Sequence, residues 1–222
     1  MSKWYNGGGA DNDIVLFSKV RLARNLSDTP FKSRMSREIK RNTIKKLYAC
    51  VKNSELAGDF NIVDLSAASD VKAVSYAEKQ LISPEFAKEK GAFLLSSNED
   101  VSVMLCEEDH IRITAFAGGL ATEKAYEQAD KIDNVFIENM KIAFDESLGF
   151  LTASPINLGT GLKVTVAMIC LQSKQTAALQ GLRLWLESSV FHSVRYTVKR
   201  VHFIFFQIRF PWESAKRQLL II

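Results

Sequence analysis

Apolar residues recur with a helical period in three parts of the chain. Residues 36–51 carry apolar positions on one face and lysines and arginines on the other, which predicts an amphipathic helix. A weaker helical pattern covers residues 71–81 and stops before Ser83-Pro84, because the residue before a proline disfavours helical geometry. The longest pattern follows Thr122, which we expect to cap the helix. Its apolar positions are Ala125, Ala129, Ile132, Phe136, Met140 and Ala143.

Shorter apolar runs, bounded by turn residues, predict β-strands. The candidate strands are residues 13–17, 60–65, 92–96, 101–106, 110–116, 149–152 and 162–169. The turns at residues 97–100 and 107–109 are so short that the three middle strands should form an antiparallel meander. We expect the last two candidates to complete the sheet. An antiparallel β-sheet flanked by helices places the fold in the α+β class.

Composition narrows the class of protein. The 222 residues are 47% hydrophobic and 24% charged, which is enough core material for a globular domain without disulfides or metal. The three cysteines are scattered, which argues against a disulfide framework or a zinc site and favours a reducing, cytoplasmic environment. No apolar run is long enough to span a bilayer, so we expect no membrane association.

The charge distribution changes near residue 170. Residues 171–222 hold eight Lys and Arg residues against two Glu residues, and they contain no Asp or Asn. We therefore divide the chain into a polar leader (1–12), a main domain (13–170) and an atypical basic tail (171–222). Because the tail is poor in turn residues, we expect it not to return strands to the sheet and to leave the sheet edge open.

Three clusters hold candidate chemistry. Residues 18–25 are either a solvated basic edge or a phosphate cradle, in which alternation puts Lys19 and Arg21 on one face of a strand. Residues 106–112 are either an exposed acidic turn or a site for a cation or a guanidinium group, and Arg112 needs an anionic partner if it is buried. Residues 152–163 contain a Gly-Thr-Gly that fits an ordinary loop and lacks P-loop spacing.

The residue sequences of these clusters and their order along the chain together indicate a family more specifically than any one cluster does. The strings DIVLFSKVRLARNL, LISPEF, LLSSNEDVSVMLCEEDHIRI and GFLTASPINLGTGLKV resemble the ATP:guanido phosphotransferases, with the closest likeness to the bacterial protein-arginine kinase branch. The resemblance covers about residues 13–168. It implies the phosphagen-kinase catalytic-domain fold, with an incomplete carboxy-terminal part. It also implies phosphoryl transfer from ATP, with Mg²⁺, to the guanidinium group of arginine residues in proteins.

The resemblance also assigns residues. Glu107 matches the family's substrate-binding carboxylate and base, Glu108 and Asp109 would support it, and Arg112 is counted with the catalytic residues. No protein ligand to a metal is expected. The implied nucleotide-binding residues are Phe17, Ser18, Lys19, Val20, Arg21, Gln80, Arg112, Lys163, Val164, Thr165, Val166 and Ala167.

Several positions depart from the family pattern. Lys19 and Lys163 stand where arginine is usual, so two-pronged phosphate contacts become point contacts. Gln80 replaces a nucleotide-contacting histidine, and Ser154 stands in place of a cysteine near the substrate guanidinium. Phe17 replaces a usual serine. Each of these changes is expected to weaken activity without abolishing ATP binding.

The sequence after Met168 contains no recognisable motif of the family's phosphate-binding strand. When codons compatible with residues 207–222 are read in a displaced frame, they encode a segment similar to one of the family. This similarity suggests a frameshifted chain with little kinase activity. A catalytically inactive nucleotide-binding remnant is therefore one alternative, and a basic module that binds polyanions is another. The implied partners are proteins with exposed arginine, with a possible adaptor or homodimer and no specific nucleic acid.

Overall fold

The computed structural model describes residues 3–6, 8–171, 191–198 and 201–209, with side chains up to residue 169. The ten strands of this described part are β1 (Val15–Arg24), β2 (Phe60–Asp64), β3 (Ala92–Ser96), β4 (Val101–Leu105), β5 (Ile111–Gly118), β6 (Phe144–Asp145), β7 (Gly149–Phe150), β8 (Leu162–Leu171), β9 (Phe191–Val198) and β10 (Val201–Arg209). Eight of them form one sheet in the order β2-β3-β4-β5-β1-β8-β10-β9, and each neighbouring pair is antiparallel. The predicted meander of β3, β4 and β5 is confirmed.

Four α-helices cover the two faces of the sheet. They are α1 (Arg37–Lys52), α2 (Asp70–Glu78), α3 (Pro84–Lys88) and α4 (Thr122–Asn139). One core lies between the sheet and helices α1 and α4, with Leu47, Ala129 and Phe136 fully buried against it. A second core lies between the opposite face and helices α2 and α3, where Phe86 and Phe93 are fully buried. This arrangement confirms the α+β expectation.

Strand β1 extends well beyond the predicted residues 13–17. It continues to Arg24 because Val20 and Leu22 are buried in the core under α4, while Lys19 and Arg21 alternate onto the other face. The basic stretch therefore lies in a central strand, between β5 and β8, and is not a solvated basic edge.

The predicted cap of α4 is wrong. The helix begins at Thr122, so Ala121 occupies the N-cap position, and no side chain caps it. The N–H of Ala121 instead donates to Ser18 Oγ at 3.0 Å, which ties the start of the helix to β1. Met140 and Ala143 lie beyond the last helical residue.

Helix α2 ends earlier than predicted, and for a different reason. Gln80 adopts φ +58°, its N–H donates to the carbonyl of Ala77, and the N–H of Leu81 donates to the carbonyl of Tyr76. These two bonds make a Schellman ending, with glutamine at the position that usually holds glycine. The helix therefore stops before the restriction imposed by Pro84 applies.

Two expectations about the sheet are corrected. Strand β7 pairs with β6 in a separate two-stranded ladder and does not complete the main sheet. The edge of β8 is not left open, because β10 pairs with it along its length and β9 pairs with β10. The β-branched and aromatic residues of 201–206 favour this strand despite the shortage of turn residues. The frameshift hypothesis concerns the coding sequence and stays a prediction.

The described part of the leader packs against the sheet. The Trp4 ring stacks on Phe116 at 4.4 Å and meets the edge of Phe17. Trp4 Nε1 donates to the carbonyl of Glu99, whose carboxylate binds Lys3 and Lys79. None of the described helices has the length and apolar character that a membrane crossing requires.

Candidate active site

Four basic side chains share one face of three adjacent strands. In the sheet register, Arg21 of β1 lies opposite Lys163 of β8, and Ala23 of β1 lies opposite Arg112 of β5. Residues paired across a ladder point to the same side, and neighbouring strands are about 4.8 Å apart. Lys19, two residues before Arg21, therefore belongs to the same group. This cation face lies on the side of the sheet that carries α2 and α3.

Lys19 is a half-buried member of the cation face with two close contacts. Its Nζ donates to Gln80 Oε1 at 2.8 Å and lies 5.8 Å from the centre of the Phe116 ring. Burial, and then the charges of Arg21 and Arg112, lower the pKa of the Lys19 amine to about 8. A phosphate placed here would restore the fully charged amine, because an anion opposes both effects.

Arg21 connects the cation face to the loop before β8. Its Nη2 donates to Asn157 Oδ1 at 2.9 Å, and Asn157 ends the short helical turn Pro155–Asn157. Gly161 lets this loop approach β1 closely, because a Cβ there would lie 2.5 Å from the carbonyl oxygen of Ala23. Its φ of +62° also favours glycine. The Gly-Thr-Gly loop thus brings Lys163 beside Arg21.

The acidic turn stands at the end of the cation face. Cys106 opens the turn with φ +54°, and the next residue, Glu107, is buried with 8% of its surface exposed. Arg112 Nη1 donates to Glu107 Oε2 at 2.6 Å. The half-buried Arg112 thus has the anionic partner that we expected of a buried arginine. The expectation of an exposed turn at residues 107–109 is wrong for Glu107 and for Asp109, which are both buried.

The Glu107 carboxylate accepts two further hydrogen bonds. The N–H of Glu108 donates to Oε2 at 2.7 Å, and Ser83 Oγ donates to Oε1 at 3.0 Å. Burial would raise the pKa of Glu107, but the charge of Arg112 and these hydrogen bonds lower it below its ordinary value. The carboxylate is therefore ionised at neutral pH and already holds one guanidinium group.

Asp109 and His110 anchor the turn from behind. Asn25 Nδ2 and the N–H of Ala153 both donate to Asp109 Oδ1, at 2.6 and 2.8 Å. His110 is fully buried, and its Nδ1 accepts a hydrogen bond from the N–H of Leu26. The other ring nitrogen must then carry the proton and donate to the carbonyl of Pro30, at 3.0 Å. His110 therefore supports the structure of the turn.

Arg24 belongs to a different group. It lies on the opposite side of the sheet and makes a buried ion pair with Asp133 of α4, with 2.7 Å between Nη2 and Oδ2. Its guanidinium also stacks over the Phe150 ring at 3.7 Å and donates to the carbonyls of Ala23 and Thr160. Of the three cations noted between residues 18 and 25, two therefore reach the cation face.

The implied nucleotide-binding residues divide between the two faces. Phe17, Thr165 and Ala167 share the face of Lys19, and all three are buried. Four further implied residues of β1 and β8 lie on the face covered by α4, and they are Ser18, Val20, Val164 and Val166. Ser18 uses its hydroxyl to bind the carbonyl of Gly119 and the N–H of Ala121. The side chains of Ser18, Val20, Val164 and Val166 therefore do not reach the cation face.

The remaining assigned residues also have defined places. Gln80 contacts Lys19, as described, and Glu108 is exposed beside Glu107. Ser154 begins the turn that carries Asn157, and its carbonyl accepts a hydrogen bond from Thr152 Oγ1. Within the described residues, no group of three His, Cys, Asp or Glu side chains is arranged to hold a metal ion.

Sequence reasoning missed three polar residues of the site: Ser83, Asn25 and Asn157. The sequence pattern identifies Ser83 only as part of a helix-breaking Ser-Pro pair, although serine followed by proline is also the pattern of an N-cap and first helical residue. The two asparagines carry no local signal, because their partners are more than 80 positions away in the chain.

Comparison with known proteins places the chain in a class. Residues 42–181 match the model of the ATP:guanido phosphotransferase C-terminal catalytic domain. The chain belongs to this family, as its motifs indicated, and the match extends past residue 170 into the basic tail (171–222).

Several relatives carry a common description, protein-arginine kinase. The chain is 39% identical over 169 residues to the enzyme of Clostridium acetobutylicum, which covers 75% of this chain and 50% of that protein. It is 41% identical over 172 residues to that of Symbiobacterium thermophilum, covering 75% and 49%. The protein of Bacillus cereus strain AH187 is 43% identical over 170 residues, covering 75% and 48%. The chain thus spans about half the length of these relatives.

Solved structures support the fold. The substrate-free duplicated taurocyamine kinase from Schistosoma mansoni superposes with a TM-score of 0.75 at 17% identity, covering 97% of this chain and 34% of that one. Lombricine kinase superposes with a TM-score of 0.72 at 16% identity, covering 90% and 60%. The phosphagen-kinase type of fold is therefore confirmed.

Proposed function

We propose that this chain transfers the γ-phosphoryl group of ATP to the guanidinium group of arginine residues in other proteins. The family supplies the donor and the acceptor class, since its members are ATP:guanido phosphotransferases. The relatives described as protein-arginine kinases, at 39–43% identity, favour arginine in proteins as the acceptor.

One observation carries the proposal. Glu107, at the end of the cation face, already binds a guanidinium, that of Arg112, at 2.6 Å. The same carboxylate has the charge and geometry to bind a second guanidinium from a substrate. Carboxylate and guanidinium form short, charge-assisted hydrogen bonds, which orient the acceptor nitrogen.

The cation face suits the other substrate. Phosphoryl transfer places negative charge on the γ-phosphoryl oxygens and on the leaving ADP, so fixed positive charges stabilise the transition state. We assign Lys19, Arg21, Arg112 and Lys163 to the nucleotide phosphates. In the reaction, a guanidinium nitrogen forms a bond to the γ-phosphorus while the bond to the bridging oxygen breaks. ADP leaves with that electron pair, and Glu107 accepts the proton lost by the nitrogen.

Mg²⁺ is proposed only as part of the nucleotide. Magnesium in phosphoryl-transfer sites is commonly held by substrate phosphates, water and one or two carboxylates. The described residues offer no cage of protein ligands for it. No step is therefore assigned to a metal held by this chain.

The proposal predicts labelling of an arginine-rich protein by ATP radiolabelled at its γ-phosphate, in the presence of Mg²⁺. The product should be acid-labile, which distinguishes phosphoarginine from phosphoserine. A matched acceptor in which every arginine is replaced by lysine should take up no label. Glu107→Gln should abolish labelling, whereas Glu55→Gln, on the exposed surface after α1, should not change it.

Retained ATP binding without labelling would favour the inactive remnant over the kinase. Binding of the same strength to any polyanion, with no preference for ATP, would favour the basic interaction module. The adaptor, homodimer and specific protein substrates remain proposals that this experiment does not address.

A further inference from the structure

Three serines cap helices in the described part of the chain, and one of them differs from the others. Ser36, Ser69 and Ser83 stand at the N-caps of α1, α2 and α3, where each side chain accepts a hydrogen bond from a backbone N–H three residues later. Only the third cap lies beside the acidic turn. Its Oγ is also 3.0 Å from Oε1 of Glu107.

The hydroxyl of Ser83 has one proton and two lone pairs. The N–H of Phe86 donates to one lone pair at 3.2 Å, so that bond does not use the proton. A carboxylate can only accept, and the hydroxyl proton is therefore directed to Glu107 Oε1. The Ser83 N–H donates to Met104 Sδ at 3.4 Å, which fixes the backbone against β4. The hydroxyl group therefore accepts from Phe86 and donates to Glu107, while the backbone of the same serine is bound to β4.

The two oxygens of Glu107 then have different surroundings. Within the described residues, Oε2 accepts from Arg112 Nη1 and the N–H of Glu108, whereas Oε1 accepts from Ser83 alone. A carboxylate oxygen offers two lone pairs. The remaining acceptor position on this carboxylate is therefore on Oε1, next to the serine hydroxyl.

We propose that Ser83 is a positioning residue for Glu107, holding Oε1 so that its second lone pair faces the guanidinium of the acceptor arginine. The proposal rests on the function proposed above. Ser83 does not touch the reacting atoms. It acts through Glu107 by fixing the rotation of the carboxylate group, and it joins the start of α3 to the acidic turn.

The hydrogen bond also stabilises the charged form of Glu107. Removing the hydroxyl should raise the pKa of this carboxylate, because a donor to the ionised form is lost while burial remains. An effect on helix capping alone would leave that pKa unchanged.

The test compares Ser83→Ala with Ser36→Ala in the 222-residue chain. Both variants lose a cap bond of 3.2 Å to a backbone N–H, but only the first loses a bond to Glu107. We expect Ser83→Ala to lower kcat for arginine phosphorylation by roughly tenfold and to shift the acidic limb of its pH profile upward. Ser36→Ala should change neither, and Ser83→Thr, which keeps a hydroxyl, should restore most of kcat.

A second measurement separates this inference from the proposed function. Carbon-13 NMR titration of the glutamate carboxylates reports the Glu107 pKa without any substrate, with Glu107→Gln identifying the signal. If the unmutated chain phosphorylates no arginine, the proposed function fails, while a raised Glu107 pKa in Ser83→Ala still supports the positioning contact. An unchanged Glu107 pKa in a folded Ser83→Ala protein, or equal kcat in both alanine variants of an active enzyme, overturns the proposal.

Discussion

Lys19 Nζ donates a 2.8 Å hydrogen bond to Oε1 of Gln80, a residue whose backbone is held at φ +58°. Non-glycine residues in this left-handed region cost roughly 1–2 kcal/mol. Glycine would end helix α2 with less strain, but it has no side chain to hold the amine. The site therefore keeps a conformationally unfavourable residue where its amide is needed, as strained positions in functional sites often do.

Replacing Gln80 with glycine should separate stability from binding. We expect Gln80→Gly to raise the free energy of unfolding by about 0.5–1 kcal/mol, since relief of strain exceeds the entropy cost of glycine. ATP affinity should fall about threefold to tenfold as Lys19 loses its partner. Chemical denaturation and calorimetric titration measure the two effects.

Lys90 offers a control for this change. It directly follows Glu89, the C-cap of helix α3, has φ +50°, and lies in an exposed ion pair with Asp70, away from the cation face. Lys90→Gly should relieve similar strain and leave ATP affinity unchanged. Equal loss of ATP affinity in both variants would contradict the role given to Gln80.

The lowered pKa of Lys19 makes nucleotide binding depend on pH. Because its pKa is about 8 in the free protein, the amine is mostly charged at pH 7 and mostly neutral at pH 9. We expect ATP affinity to fall by about tenfold between these pH values. Lys19→Arg should remove most of this dependence, since arginine stays charged. Calorimetry over pH 6.5–9.5 would measure it, and a flat wild-type profile would argue against Lys19 as a phosphate ligand.

The same shift has the opposite effect on folding. The folded-state pKa of Lys19 lies below its unfolded value of 10.5, so the unfolded chain binds more protons between about pH 8 and 10.5. The contribution of Lys19 therefore makes the protein more stable as the pH rises through this window. Denaturation of wild type and Lys19→Met in parallel would isolate this contribution, which should be missing in the variant.

Replacing Arg112 should affect both the cation face and the acidic turn that holds Glu107. Arg112→Ala removes one charge from the cation face and leaves the Glu107 carboxylate without its ion-pair partner. We expect ATP affinity to fall by roughly tenfold and the free energy of unfolding to fall by about 1–3 kcal/mol. In a Glu107→Gln background, the same change should cost less stability, because the two residues act as a pair. Additive losses of stability would show that the ion pair contributes little to the fold.

Glu99 gives the protein a sensitivity to acid. Partial burial would raise the pKa of Glu99, but hydrogen bonds from Lys3, Lys79 and Tyr5 outweigh it and lower the pKa to about 2. The stabilisation is complete above the ordinary value of 4.5 and is lost as the pH falls toward 2. We expect it to be about 1–2 kcal/mol after allowance for solvent screening.

A matched pair of variants tests this assignment. Glu99→Gln should remove the stabilisation at pH 7 and flatten the change in stability between pH 5 and 2.5. Glu89→Gln, which removes more exposed ion pairs with Lys32 and Lys40, should change stability by less than about 0.5 kcal/mol. If the two variants behave alike, the leader is not held by Glu99.

The sequence predicted the elements whose signals are local. The periodicity of α1 and the close turns of the meander were sufficient, because both depend on residues near one another in the chain. The Ser-Pro-Glu-Phe start of α3 was missed because helix-breaking and helix-starting serines look alike when only the proline is weighed. The end of α2 was misplaced because glutamine is a rare residue for a left-handed helix ending.

The same difference between local signals and long-range contacts applies to the candidate site. Alternation correctly grouped Lys19 with Arg21, since it follows from strand geometry alone. It could not assign Arg24, whose partner Asp133 lies 109 positions away on α4. Nor could it show that Ser83 reaches Glu107, because that contact depends on how α3 packs against the end of β4. Family motifs identified the acidic turn, whereas its supporting hydrogen bonds required the tertiary structure.

The position of β1 in the sheet has a consequence for synthesis on the ribosome. Its two neighbours are β5, which begins at residue 111, and β8, which begins at residue 162. Translation at about 5–20 residues per second therefore leaves β1 without its first partner for roughly 5–20 seconds. During that time an apolar stripe and a row of cations are carried by the same extended segment. Its charges, besides their place in the site, would oppose premature association between nascent chains.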